Sequence, residues 1–189
     1  MFTRISTREG LASDYVYSML QDKKGFMWLG TANGLQRYDG RKIISFRPHP
    51  SDTMFLPAEP ISQIMLDKKG RFWVRMAREL GLFNHATFEY HSIPLEVPTQ
   101  DLERSEVKMW EDAEGNVFVT LSTFGIVVYN EKTKSFVYDS TIVDAPRDAY
   151  VSMFNQDPVT GDYWIGSSKG LSLYDRNKKK LYDHANNPI

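Results

Sequence analysis

The chain has 189 residues, 41% hydrophobic and 25% charged, the ordinary range of a globular protein with enough apolar surface for a core. Lysine and arginine total 23 against 24 acids, and a net charge of −1 gives no global electrostatic footprint for nucleic acid or an anionic membrane. The absence of cysteine excludes disulfide frameworks, thiol catalysis and cysteine-ligated metal centres, and no apolar run approaches the roughly 18 residues of a membrane helix.

Met1-Phe2-Thr3-Arg4 lacks the apolar core of a signal peptide, so such a signal is absent or has been removed. The first predicted strand is Val16 to Gln21. It turns at Asp22-Lys23-Lys24-Gly25, where the Asp side chain can cap backbone N–H groups and glycine supplies the positive φ. Phe26 to Thr31 returns, Gly34 to Asp39 follows, and Lys42 to Phe46 closes the set after a turn at Asp39-Gly40. Phe26-Met27-Trp28-Leu29 is apolar at consecutive positions, as a sheet covered on both faces requires.

The same pattern then recurs. Asp22, Asp67, Asp112 and Asp157 are spaced 45 residues apart, each followed by a glycine (Gly25, Gly70, Gly115, Gly161). A large aromatic comes next, at Trp28, Trp73, Phe118 and Trp164, then a glycine with a branched apolar partner at Gly34, Gly81, Gly125 and Gly170. Three residues before each Asp stands an apolar side chain: Met19, Ile64, Met109 and Phe154. Four short antiparallel strands in each unit of about 45 residues are the signature of a β-propeller blade. The expected fold is therefore all-β: one propeller segment over residues 1–189, with blades at about 11–50, 56–95, 102–141 and 147–186. Trp28, Trp73, Phe118 and Trp164 are expected to be mostly buried between adjacent blades, the Asp…Gly series to form turns, and the Gly-Leu series to re-enter a strand. Residues that recur in every blade argue against catalysis, since an active site needs asymmetry.

The run Gln21-Asp22-x-x-Gly25-Phe26-Met27-Trp28-Leu29-Gly30-Thr31-x-x-Gly34-Leu35-x-Arg37-Tyr38-Asp39-Gly40 resembles the two-component regulator propeller repeat. Gln156-Asp157, Gly161, Tyr163-Trp164-Ile165-Gly166 and Gly170-Leu171-x-x-Tyr174-Asp175 repeat the match, whereas units two and three depart from it at Arg75-Met76 and Thr120-Leu121. The resemblance implies the extracytoplasmic sensor of a hybrid histidine kinase of the Bacteroidetes type, with a periplasmic address and a polysaccharide-derived ligand. It further implies a fragment of a larger propeller, whose partners are the remaining blades and the kinase portion of the parent protein. No cofactor and no direct nucleic-acid contact are expected. The alternatives are a stand-alone protein-interaction scaffold and a propeller lyase or glycoside hydrolase.

A ligand is expected on the face opposite the Asp…Gly turns, where the inter-blade stretches and the short loops between second and third strands lie. The aromatic-to-glycine distance in unit two is 8 residues, against 6 in units one and four, which reads as an insertion placing Arg75, Arg78 and Glu79 at this rim. Phe55, Phe124 and Tyr150 are the candidate aromatic platforms for a sugar ring. His49, His85, His91 and His184 form no metal-binding pair of the HExxH or HxH kind. Blades cut from a wider ring leave apolar faces on the first and fourth units, so self-association through the end blades is expected.

Overall fold

The computed structural model describes residues 4–46, 56, 59–76, 79–98, 106–122, 124–145 and 149–186. Phe55, Arg78 and His49 lie outside them. Among the described residues the only helix is a single 3-10 turn, Thr7–Glu9, capped by Ser6 and ended by Gly10 in the left-handed region. Every other element is a strand, in four antiparallel sheets of four with consecutive strands adjacent.

The chain divides into two compact units, Met1–Ile93 and Pro94–Ile189. The first holds β1 (Val16–Gln21), β2 (Met27–Thr31), β3 (Gly34–Tyr38) and β4 (Ile43–Phe46), then β5 (Gln63–Leu66), β6 (Phe72–Arg75), β7 (Leu80–Phe83) and β8 (Tyr90–Ser92). The second holds β9 (Val107–Glu111), β10 (Val117–Leu121), β11 (Gly125–Asn130) and β12 (Ser135–Val137), then β13 (Val151–Gln156), β14 (Tyr163–Ser167), β15 (Gly170–Asp175) and β16 (Lys180–Tyr182). Each sheet is one blade. The four strands read from the first unit of the sequence fall within a residue of those observed.

Within each unit, the two blades meet through the same set of positions. In the first, Trp28 and Leu35 of blade one pack with Ile61, Ile64, Phe72, Val74 and Phe83 of blade two. In the second, Phe118 and Ile126 of blade three pack with Phe154, Tyr163, Ile165 and Tyr174 of blade four. The strand registers make these sets equivalent: Met19, Ile64, Met109 and Phe154 all pair with the apolar residue one past the repeat aromatic. Every blade thus has a donor face carrying the aromatic, and a receiving face carrying the residue three before the Asp. Gly30 is where backbones come closest, since a Cβ there would lie 2.8 Å from the Ile61 carbonyl oxygen. Beside it the Ile61 N–H donates to the Thr31 carbonyl at 2.9 Å, a backbone link from blade to blade.

One expectation is corrected by the registers. Arg75 pairs with Leu80 as Gly30 pairs with Leu35, so the intervening stretches 76–79 and 31–34 have equal length and unit two carries no insertion. Gly81 is consequently not the counterpart of Gly34, Gly125 and Gly170, which share a φ of 102° at the start of a third strand. It lies inside β7, paired with Val74, where a side chain would collide with the His91 carbonyl and the Tyr90 ring. Trp28, Trp73 and Phe118 are buried, and Trp164 is half-buried.

Candidate functional site

The Asp…Gly turns are built by one recurring device. Asp22 Oδ1 accepts the backbone N–H of Lys24 at 2.9 Å and of Phe26 at 3.0 Å, while Oδ2 accepts the indole N–H of Trp28 at 2.8 Å. Trp73 donates to Asp67 at 2.7 Å and Trp164 to Asp157 at 3.2 Å in the same way. Turn and blade core are therefore joined through a single carboxylate. Burial works to raise the Asp22 carboxyl, but the N–H groups of Trp28, Phe26 and Lys24 together hold it below the ordinary value. These groups are structural. They account for the polar recurrence in the sequence without any chemistry on a substrate.

At the opposite rim of the second unit, polar and aromatic groups converge. Tyr150, 42% exposed, donates its hydroxyl hydrogen to Glu106 Oε2 at 2.7 Å, and Lys108 Nζ lies 3.4 Å from Glu106 Oε1. The hydrogen bond to Glu106 raises the Tyr150 hydroxyl above its usual value. Paired bonds to a serine fix both residues: the Glu106 N–H donates to the Ser122 hydroxyl at 2.9 Å and the Ser122 N–H to the Glu106 carbonyl at 3.2 Å, and Tyr150 and Ser168 do the same at 3.1 and 2.9 Å. An exposed ring thus stands beside a carboxylate and an ammonium on a scaffold fixed by strands.

Of the other sequence candidates, Phe124 belongs to the second unit, and Arg75 and Glu79 to the first. Phe124 is half-buried in the β10–β11 turn, which is one residue longer than its counterparts in blades one and four. Arg75 ends β6 and Glu79 is exposed in the β6–β7 loop, both in the first unit. Glu106 ends an inter-blade stretch, 93–106, expected on this face, but nothing in the spacing aims it or Lys108 at Tyr150.

Two concavities differ in character. An apolar groove of about 490 Å³ on blade one is lined by Ile5, Leu11, Met19, Met27, Leu29 and Tyr38. A polar cleft of about 460 Å³ in the second unit is lined by Asn116, Thr141, Thr160, Arg176 and Asn177. Arg176 there donates to Glu114 at 2.9 Å and to the Gly161 carbonyl at 3.2 Å, with its guanidinium over the Tyr163 ring. That bond holds the Glu114 carboxyl below its usual value, and it pins blade four to the turn of blade three. His85, His91 and His184 are all exposed in or beside hairpins, and among the described residues no three acidic or imidazole groups converge to hold a metal.

Four consecutive four-stranded meanders with a common donor and receiving face define β-propeller blades. Within the first of them, the model of the two component regulator propeller family matches residues 10–33. No curated protein matches the sequence. Among solved structures, the fold is similar to the extracellular domain of a protein assigned as the hybrid two component system BT3049 from B. thetaiotaomicron. The two share 22% identity at a TM-score of 0.74, over 96% of this chain and 26% of that one. The chain therefore spans about a quarter of that neighbour. Virginiamycin B lyase from Staphylococcus aureus is also similar, at 14% identity and a TM-score of 0.61, over 89% of this chain and 54% of the lyase. At these identities the likeness is one of fold.

Proposed function

We propose that the chain is a non-catalytic sensor segment, an extracytoplasmic and periplasmic run of propeller blades from a hybrid two-component signalling protein. The observation that carries this reading is the match to the regulator propeller family at residues 10–33, at the head of a fold similar along 96% of its length to the extracellular domain of a protein assigned as a hybrid two component system. The recurring Asp–Trp pairs agree with it, since they are explained by turn and core alone. The partner in this reading is the kinase portion of the parent protein, which ligand occupancy on the blades would control.

The ligand is an oligosaccharide derived from a polysaccharide. Support comes from the rim of the second unit, where the exposed Tyr150 ring offers a stacking surface beside the hydrogen-bonding Glu106 and Lys108. Arg75, Arg78, Glu79 and Phe124 remain secondary candidates on the same reasoning.

Saturation-transfer NMR of the chain against a panel of purified oligosaccharides tests both parts. Binding of at least one glycan, weakened at least tenfold in Tyr150→Ala, is expected. Failure of every glycan to bind overturns the ligand assignment. Cleavage of any glycan by the purified chain overturns the non-catalytic one.

A further inference from the structure

The turn faces of the two blade pairs are built differently at positions that the registers make equivalent. In the second unit, blade four grips the turn of blade three with polar groups. Gln156 Oε1 accepts the Ala113 N–H at 2.6 Å, and its Nε2 donates to the Gly161 carbonyl at 3.0 Å. Tyr163 donates to Asp112 at 2.9 Å, and Arg176 pairs with Glu114 at 2.9 Å. In the first unit, Leu66, Phe72 and His85 of blade two stand where Gln156, Tyr163 and Arg176 stand in blade four. Lys24 of blade one likewise stands where Glu114 stands in blade three, two residues past the turn Asp. The ion pair of the second unit is thus replaced by an ammonium and an imidazole, with a carboxylate at neither position.

The exchange leaves a pocket of about 160 Å³ between blades one and two, walled by Trp28, Leu66 and Phe72. Lys23, Lys24 and His85, all exposed, stand at its mouth. Asp22 is the one carboxylate among the lining residues, and both its oxygens are already engaged by the N–H groups of Lys24, Phe26 and Trp28. We infer that this pocket binds a small organic carboxylate, its apolar body against Trp28, Leu66 and Phe72 and its charge shared by Lys24 and His85. A carboxylate from solution then takes the place that the Glu114 side chain fills in blade three. Apolar walls beside the mouth keep water from the charged hydrogen bonds and so strengthen them. The volume lies below the roughly 300–1,000 Å³ of sites for drug-sized ligands, which restricts the occupant to a single ring or a short chain. The site belongs to the first unit and the Tyr150 group to the second, so the inference stands independently of the sensor reading.

Benzoate is the probe. Titrated into the nitrogen-15-labelled chain, it should move the indole N–H signal of Trp28 saturably and leave those of Trp73, Trp110 and Trp164 in place, since Trp28 is the tryptophan that lines the pocket. Benzamide, of the same shape without the charge, should bind at least about tenfold more weakly, the scale of one hydrogen bond to a charged group. Lys24→Glu restores the acid of blade three, and Leu66→Gln restores the amide of blade four; each should weaken benzoate by a similar factor. Lys132→Glu makes the same charge change in an exposed turn of the second unit and should leave the affinity unaltered. Lys24→Glu alters an exposed side chain, so it should keep the strand signature in circular dichroism and decides the matter even where Leu66→Gln fails to fold. A Trp28 signal that benzoate does not move overturns the inference. So does benzamide binding as tightly as benzoate, a folded Lys24→Glu or Leu66→Gln that keeps full affinity, or a loss in Lys132→Glu equal to that in Lys24→Glu.

Discussion

Tyr163 reaches from the fourth blade to donate its hydroxyl hydrogen to Asp112 Oδ2 in the third, at 2.9 Å and out of contact with water. In the other three blades the turn Asp takes this bond from the tryptophan of its own hairpin; in the third blade the aromatic is Phe118, which has no N–H to give. Asn116 Nδ2 supplies a second donor to the same oxygen at 2.7 Å. Loss of the indole is thus compensated from the neighbouring blade, which converts a bond within a hairpin into one between blades. Burial, and then the Asp112 charge, push the Tyr163 hydroxyl far above its ordinary value, so it remains a donor at any working pH.

Tyr163→Phe should therefore destabilise the second unit by about 1.5–3 kcal/mol, the range for a hydrogen bond to a charged group. Tyr38→Phe removes an exposed bond to the Gly40 carbonyl and should stay within about 0.5 kcal/mol of wild type. Urea denaturation of both variants checks this. Equal midpoints would mean that the bond between blades contributes nothing.

The aromatic series should divide by coverage and not by residue type. Trp73 is fully buried, and Trp73→Ala should cost about 3–5 kcal/mol. Trp164 occupies the same register but is only half-buried, so Trp164→Ala should cost clearly less. Lys23→Ala, in an exposed turn, should change stability by no more than about 0.5 kcal/mol. If Trp73→Ala and Trp164→Ala lose the same stability by denaturant titration, the donor-face assignment is wrong.

Two glycines that look alike in sequence should respond through different physics. At Gly34 nothing lies within 4 Å of an added Cβ, but φ is +102°, so Gly34→Ala should cost about 1–2 kcal/mol from backbone strain. At Gly81 the φ is ordinary, but a Cβ would sit 2.2 Å from the His91 carbonyl oxygen. Gly81→Ala should force β7 and β8 apart and cost about 3 kcal/mol or more, the upper end of overpacking. Trimming the Tyr90 ring should not rescue it, because the nearest obstacle is backbone. Thermal denaturation in which Gly34→Ala is the worse of the two would contradict this reading.

That pair also shows what the sequence could carry. Strand positions in blade one were legible because turn residues and continuous apolar runs are local signals, and their recurrence at 45 residues located the other blades. The same counting misplaced Gly81. A glycine needed for positive φ and one needed for close strand approach are identical letters, and only the Arg75–Leu80 pairing separates them. The degree of burial along the aromatic series was illegible for a related reason: coverage of a donor face depends on another blade, not on the residue's own hairpin. The Asp–Trp bonds did have a signal, an acceptor and a donor six residues apart across a tight turn in units one and two. At the rim, Tyr150 was legible as a loop aromatic, but its contacts with Glu106 cross between blades three and four.

Acid stability should report the turn carboxylates. Asp22 is lowered despite a burial contribution that acts to raise it, through the N–H groups of Trp28, Phe26 and Lys24. Asp157 is lowered by the backbone N–H groups of Thr160 and Val159 and by Trp164, and Asp39 by those of Lys42 and Arg41. A folded-state value below the unfolded one means that the unfolded chain binds protons first as pH falls. The stabilisation is then complete above the unfolded value, near 4, and is lost as pH drops through the folded values. Asp22→Asn keeps an oxygen that can accept from the indole but removes the titrating charge. The stability gap between wild type and Asp22→Asn should be widest near neutral pH and shrink steadily below about pH 4. Urea midpoints collected across that range decide it, and a gap that stays constant with pH would show that ionised Asp22 is not what ties the turn to Trp28.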